Sequence, residues 1–156
     1  MRRSITLKFL KGVSSMEIML FVGFPSLFLA ACSAQQTYPE AQRMGSDVAV
    51  EVKSLAPDVP AFFTYHYRGK KVNFFVINVD NRVLSFLDAC ARCYSAKGGY
   101  RCDGGAIICW ECNVRILISQ IEKGIGSCYP IEVEGSLRDG RYLIPISNLE
   151  ERVDKF

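Results

Sequence analysis

The sequence predicts a mainly β protein, a small antiparallel barrel or sandwich, with two Cys-x-x-Cys hairpin loops. Three observations predict it. Val48, Val50 and Val52 recur at the two-residue period of a half-buried strand. Residues 61–67 and 72–79 are runs of aromatic and β-branched side chains, and Arg68-Gly69-Lys70 and Asp80-Asn81-Arg82 punctuate them as tight hairpin turns. Glycines crowd around the cysteines (Gly98, Gly99, Gly104, Gly105, Gly124, Gly126), the mark of loops that approach something closely.

In chain order, residues 1–31 read as a lipoprotein signal peptide. Arg2, Arg3, Lys8 and Lys11 form a basic region, and residues 18–31 are almost wholly apolar, too short to span a bilayer comfortably. The run ends Leu29-Ala30-Ala31-Cys32, which reads as a lipoprotein cleavage site with Cys32 as the acylated residue. Pro25 and the small-small-Cys ending count against a plain transmembrane anchor. This places the rest of the chain in the bacterial cell envelope, tethered by lipid and facing the periplasm or carried on the outer membrane. Residues 32–46 are polar and lack hydrophobic period, as a flexible tether would, with room for a short helix over 40–44. The domain proper is expected over 47–156. Its further strands fall at 83–87, 106–108, 114–118, 131–134 and 141–146, and a terminal helical turn at 148–153 has Ser147 as its N-cap.

Charge excludes one class of function. The chain has 19 Lys and Arg against 16 Asp and Glu, but four of the bases and one acid lie in the signal peptide, so the remainder is balanced. A nucleic-acid partner would need a basic footprint, and none is present. That also removes the zinc ribbons of transcription and translation from consideration.

The chemistry lies in the cysteines. Cys90-Ala91-Arg92-Cys93 and Cys109-Trp110-Glu111-Cys112 are two knuckles separated by fifteen residues. Two thiolates at i and i+3 grip one metal from a tight turn, so two such knuckles complete a four-sulfur site for iron, an iron–sulfur cluster, zinc or copper. Backbone N–H groups in such turns point at the sulfurs and tune what is bound. Structural disulfides are the alternative that an extracytoplasmic compartment permits. A bridge within Cys-x-x-Cys closes too small a loop to restrain the unfolded chain much, which favours metal. Cys102 and Cys128 are left over, and they are candidates for one supporting disulfide, for further ligands, or for thiols without a role in the site.

Other polar residues carry weaker signals. Asp88 lies two residues before Cys90, where it could accept hydrogen bonds in the knuckle turn or be an ordinary strand-end aspartate. His66, the single histidine, reads more as a strand surface residue than a ligand. Trp110 either shields the metal or belongs to the core; Phe62, Phe63, Phe74 and Phe75 read as core.

The stretch from Val72 to Pro130 contains Asp88-Ala89-Cys90-Ala91-Arg92-Cys93-Tyr94, Lys97-Gly98-Gly99-Tyr100, Cys109-Trp110-Glu111-Cys112 and Gly126-Ser127-Cys128-Tyr129-Pro130. These elements, in this order, resemble the FtrD-like family of membrane iron–sulfur proteins, also called the domain of unknown function 2318. The resemblance implies an accessory role beside an iron-uptake permease, with electrons passed across the membrane. Two features depart from the family pattern: many members carry several membrane helices ahead of the domain, and Tyr129 stands where Asn usually precedes the proline. Cys102 is outside the pattern. A weaker similarity is to the Rieske fold, in which two hairpin loops and a proline loop clamp a two-iron cluster; the two His ligands of that fold have no counterpart here.

The expectation is therefore a lipid-anchored electron-transfer or iron-handling protein rather than an enzyme. Cys90, Cys93, Cys109 and Cys112 are its ligands, and an iron permease or a c-type cytochrome is its partner. A zinc or copper module is the alternative, followed by a thiol-disulfide oxidoreductase. The last is disfavoured because a thioredoxin-type motif opens a helix in a βαβ unit.

Overall fold

A computed structural model describes residues 36–155. The signal peptide and Cys32 lie outside the described residues. The elements are β1 (Gln42–Met44), β2 (Asp47–Glu51), β3 (Ala61–Tyr67), β4 (Lys70–Val79), β5 (Arg82–Cys90), β6 (Tyr100–Cys102), β7 (Ala106–Cys109), β8 (Arg115–Leu117), β9 (Pro130–Glu132), β10 (Ser136–Arg138), β11 (Arg141–Pro145) and one short helix, α1 (Ile146–Glu150). They form three antiparallel sheets, ordered β1-β2-β11-β10, β3-β4-β5-β9 and β6-β7-β8. The mainly β expectation holds, but the sheets do not close into a barrel.

The long hairpins follow from two-residue turns. Tyr67 pairs with Lys70 across Arg68 and Gly69, and Val79 pairs with Arg82 across Asp80 and Asn81. All four turn residues have positive φ, the requirement of the type I′ turn whose twist matches that of its strands. Asp139-Gly140 does the same between β10 and β11.

The β4 sequence explains the layering. Val72, Phe74 and Val76 on one face join Val48, Val50, Tyr142, Ile144 and Leu149 of the first sheet and helix. Phe75, Ile77 and Val79 on the other face join Ile107 and Ile116 of the small sheet. A strand buried on both faces loses the polar alternation of an edge strand, so 72–79 reads as a continuous apolar run. Full burial of each large apolar side chain contributes about 1.5–3 kcal/mol. Phe75 touches Phe62 and Phe86 at ring-centroid distances of 5.3 and 5.4 Å, and Tyr100 edge-on at 6.2 Å. Phe62, Phe63, Phe74 and Phe75 are packing residues, as expected.

Three expectations are corrected. The segment 40–44 is not helical: Gln42–Met44 is strand β1, paired with β2. Tyr38 and Ala41, placed in the tether by the sequence reading, pack on the domain; Ala41 is buried and Tyr38 meets the Phe62 ring. The terminal helix starts at Ile146, flanked by Pro145 and with no side-chain cap, so Ser147 is inside it rather than capping it.

Candidate metal centre

The centre forms where the central sheet faces the small sheet. On β5, Leu87 and Ala89 point to one core, while Phe86 and Cys90 point to the other. The pleat therefore delivers Cys90 to the small-sheet side. Cys90 ends the strand, and the Cys93 N–H bonds back to its carbonyl at 3.0 Å to make the first knuckle. Cys109 ends β7 and starts the second. There the Asn113 N–H bonds to the Cys109 carbonyl at 3.0 Å, with Asn113 in the left-handed region at φ 59°. Asparagine tolerates that conformation better than most residues, which lets the chain turn back under the sulfurs.

The four Sγ atoms of Cys90, Cys93, Cys109 and Cys112 all lie within 4.8 Å of one another. Cys90 and Cys109 are buried; Cys93 and Cys112 are partly exposed. Cys90, Cys93, Cys109, Cys112 and Cys128 are thiols, not disulfides. Cys128 joins the group from the next loop, its sulfur 3.7 Å from that of Cys112. That loop docks on the first knuckle: the Ala91 N–H donates to the Tyr129 carbonyl at 2.9 Å, and Pro130 pairs with Cys90. Gly124 makes the approach possible, since a Cβ there would stand 2.4 Å from that of Tyr129. Cys102 sits on β6 opposite Ile107 and is not in the four-sulfur group. No disulfide joins Cys102 to Cys128, whose sulfur lies beside that of Cys112.

Burial favours the neutral thiol at Cys93, Cys109, Cys112 and Cys128, and local hydrogen bonds offset it to different degrees. Burial and the surrounding sulfurs push Cys93 up to about 12. Burial also raises Cys109, against the N–H groups of Cys112 and Glu111 that point at its sulfur. For Cys112 burial acts upward too, but the Val114 N–H and the thiols of Cys109, Cys128 and Cys93 outweigh it and bring it down to about 7. Cys112 is thus brought below the ordinary thiol value, while Cys93 and Cys109 are held above it. Cys128 is raised, mainly by burial.

Asp88 does not serve its own knuckle turn. Its carboxylate is buried and accepts the Tyr38 O–H and the Tyr100 N–H, both at 2.8 Å. Burial raises it to about 6 despite those two bonds. Gly99, at φ 67°, leaves the space, because a Cβ would fall 2.4 Å from Asp88 Oδ2. The Tyr100 side chain is fully buried and its hydroxyl has no nitrogen or oxygen partner; the Cys90 sulfur stands against it. Sequence reasoning missed Tyr38 and Tyr100, although the Gly98-Gly99-Tyr100 pattern marked a loop built for close approach. His66 pairs with Glu40 on the surface and takes no part in the four-sulfur group. Trp110 is exposed, with Arg101 over its ring at 5.0 Å, and is not core.

Four thiols gathered from two knuckles on a β scaffold are the donor set of a metal-binding protein, and four thiolates suit iron, zinc or cuprous copper. The chain belongs to the FtrD-like family: the family described as membrane iron-sulfur containing protein FtrD-like matches residues 55–156. The matched stretch contains both knuckles and Cys128. No curated protein and no solved structure matches the chain. Among the described residues no helix is long and apolar enough to cross a membrane.

Proposed function

We propose that this chain is a lipid-anchored electron-transfer or iron-handling protein of the cell envelope, holding iron or an iron–sulfur centre through Cys90, Cys93, Cys109 and Cys112. The observation that carries the reading is the convergence of two knuckles, fifteen residues apart, to sulfur separations within 4.8 Å. Family membership supports iron over the alternatives, and Leu29-Ala30-Ala31-Cys32 supports the anchor. When bound, iron in a thiolate site supplies one-electron chemistry. The chain's own groups do the rest. The β5 and β7 ends fix the sulfurs, N–H groups on Cys109 and Cys112 favour their thiolate forms, and the buried shell of Phe75, Tyr100, Ile107 and Ile116 keeps water from the inner side. Exposed Trp110 and Tyr129, adjacent in sequence to Cys109 and Cys128, form the rim on which a partner such as an iron permease or a c-type cytochrome would dock.

Anaerobic purification with elemental analysis and visible and electron-paramagnetic-resonance spectra tests the reading. Iron with thiolate-to-iron absorption is the expected result. Zinc or copper in its place would leave a metal-binding module without that redox role, and a metal-free protein cycling between dithiol and disulfide would leave a thiol oxidoreductase. For the anchor, Cys32→Ser should release the domain from the membrane fraction; wild-type protein that carries no fatty acid and stays membrane-bound through an uncleaved N-terminus would contradict it.

A further inference from the structure

We propose that the rim beside the sulfurs seats on the surface of the bilayer to which Cys32 tethers the chain, with Trp110, Ile125 and Tyr129 at the level of the lipid headgroups. The inference rests on the lipid-anchor reading above and adds which face of the domain the anchor turns to the membrane. The length of the tether is the first support. Six residues lead from Cys32 to Tyr38, whose ring is already packed on Phe62. Fully extended, six residues reach at most about 20 Å, whereas a domain of this size is about 35 Å across. The face beside Tyr38 is therefore the one held nearest the lipid. That face carries the second knuckle: the Tyr38 hydroxyl donates to Asp88 at 2.8 Å, Gly99 stands against the same carboxylate, and the Gly99 carbonyl accepts the Trp110 N–H at 3.1 Å.

The chemistry of the rim is the second support. Trp110, Ile125 and Tyr129 are exposed large apolar side chains, and all three flank the sulfurs. Trp110 follows Cys109, while Ile125 and Tyr129 bracket Cys128, whose sulfur is 3.7 Å from that of Cys112. Tryptophan and tyrosine, with an apolar body and a polar tip, favour the boundary between headgroups and acyl chains. The same loops carry Arg92, Lys97, Arg101 and Lys123, and the Arg101 guanidinium lies over the Trp110 ring at 5.0 Å. Against these bases stand Glu111 and Glu122, and Glu122 is already paired with Arg82. A basic rim around exposed aromatic rings complements anionic headgroups. The remaining exposed apolar residues lie elsewhere: Met44 and Leu137 on the first sheet, and Leu117 opposite Ala106, at the end of the small sheet away from Cys109. Seated in this way, the sulfurs stay at the membrane surface, where a partner embedded in the same bilayer reaches them by displacing lipid.

Trp110 is the single tryptophan of the chain, so its fluorescence reports on the rim alone. The lipidated full chain is reconstituted into vesicles of phosphatidylethanolamine and phosphatidylglycerol, with and without bromine on the upper acyl carbons, and the ratio of the two emissions removes any contribution from bound metal. Compared with the unanchored Cys32→Ser protein in solution, Trp110 emission should shift to shorter wavelength, lose intensity to brominated lipid and become shielded from iodide. Replacing both Ile125 and Tyr129 by Ser should reduce the bromine quenching, as should exchanging phosphatidylglycerol for neutral lipid; Leu137→Ser should leave it unchanged. Protein that floats with the vesicles while Trp110 stays open to iodide and untouched by bromine would overturn the lipid contact and leave the anchor intact. Shielding from iodide without bromine quenching would overturn it too, by showing the rim covered by protein. A chain that carries no fatty acid and stays off the vesicles would overturn the anchor and the contact together.

Discussion

The two knuckles share a spacing but not a construction. Cys90 is the last residue of the nine-residue strand β5, at the heart of the central sheet. Cys109 closes a four-residue strand in the small sheet. The second knuckle brings its own N–H donors to its sulfurs. In the first, burial and the neighbouring sulfurs push Cys93 up to about 12, whereas Cys112 falls to about 7. Within the second knuckle Cys112 is the thiol prepared as a thiolate, while Cys109 beside it stays raised by burial.

The sharpest way to break this contrast is to remove ligands singly. Cys90→Ser, Cys93→Ser, Cys109→Ser and Cys112→Ser should each cost more than the about 10–100-fold in metal affinity typical of losing an outer-shell partner, and each should lower the thermal stability of the loaded protein. The Cys109 and Cys112 variants should lose most, as read by competition with a chelator. Equal losses at all four positions would erase the contrast. Cys102→Ser should leave affinity unchanged, and Cys128→Ser should fall between.

Asp88 links the halves, since it stands on β5 and holds the Tyr100 N–H that leads into β6. Its folded-state value is raised by burial from 3.8 to about 6. Between those values the folded protein retains a proton that the unfolded chain has lost, so stability should fall as pH rises from about 4 to 6 and then level off. A shift of that size corresponds to something on the order of 2–3 kcal/mol. Asp88→Asn should flatten the slope in pH-dependent denaturation, and an unchanged slope would mean that another group carries it.

Smaller effects sharpen the first knuckle. Tyr100→Phe removes the hydroxyl facing Cys90 and should weaken metal binding by about 10-fold while leaving the second-knuckle variants' ranking unchanged. A fall in folding stability with no change in affinity would make Tyr100 a packing residue only. Smallest of all, Arg82→Ala breaks the exposed pair with Glu122 at 2.6 Å and should shift the denaturation midpoint only slightly, with less effect at high salt.

Much of this arrangement was legible in the sequence, for local reasons. Arg68-Gly69 and Asp80-Asn81 announce two-residue turns because the turn type requires their backbone conformations. The β4 run announces burial on both faces, and the knuckle spacing announces a shared site. What escaped depends on partners far away in the chain. Strand β1 is exposed along its length and is held by backbone pairing to β2, so no hydrophobic period reveals it. Strand β10 is exposed as well, although Asp139-Gly140 is a hairpin signal that could have found it. The Tyr38–Asp88 bond spans fifty residues and turns part of an expected tether into packed structure. Of the expected barrel or sandwich, the barrel does not form: β6, β7 and β8 pair among themselves as a third sheet.

The central claim is that both knuckles grip the same metal, and cobalt titration of the full chain under anaerobic conditions tests it most directly. The thiolate-to-cobalt absorption should saturate with the intensity of four thiolates, and should fall in each of the Cys90→Ser, Cys93→Ser, Cys109→Ser and Cys112→Ser variants. Full intensity retained after substitution in either knuckle, or a wild-type protein that binds no metal and carries a disulfide within each Cys-x-x-Cys pair, would contradict it.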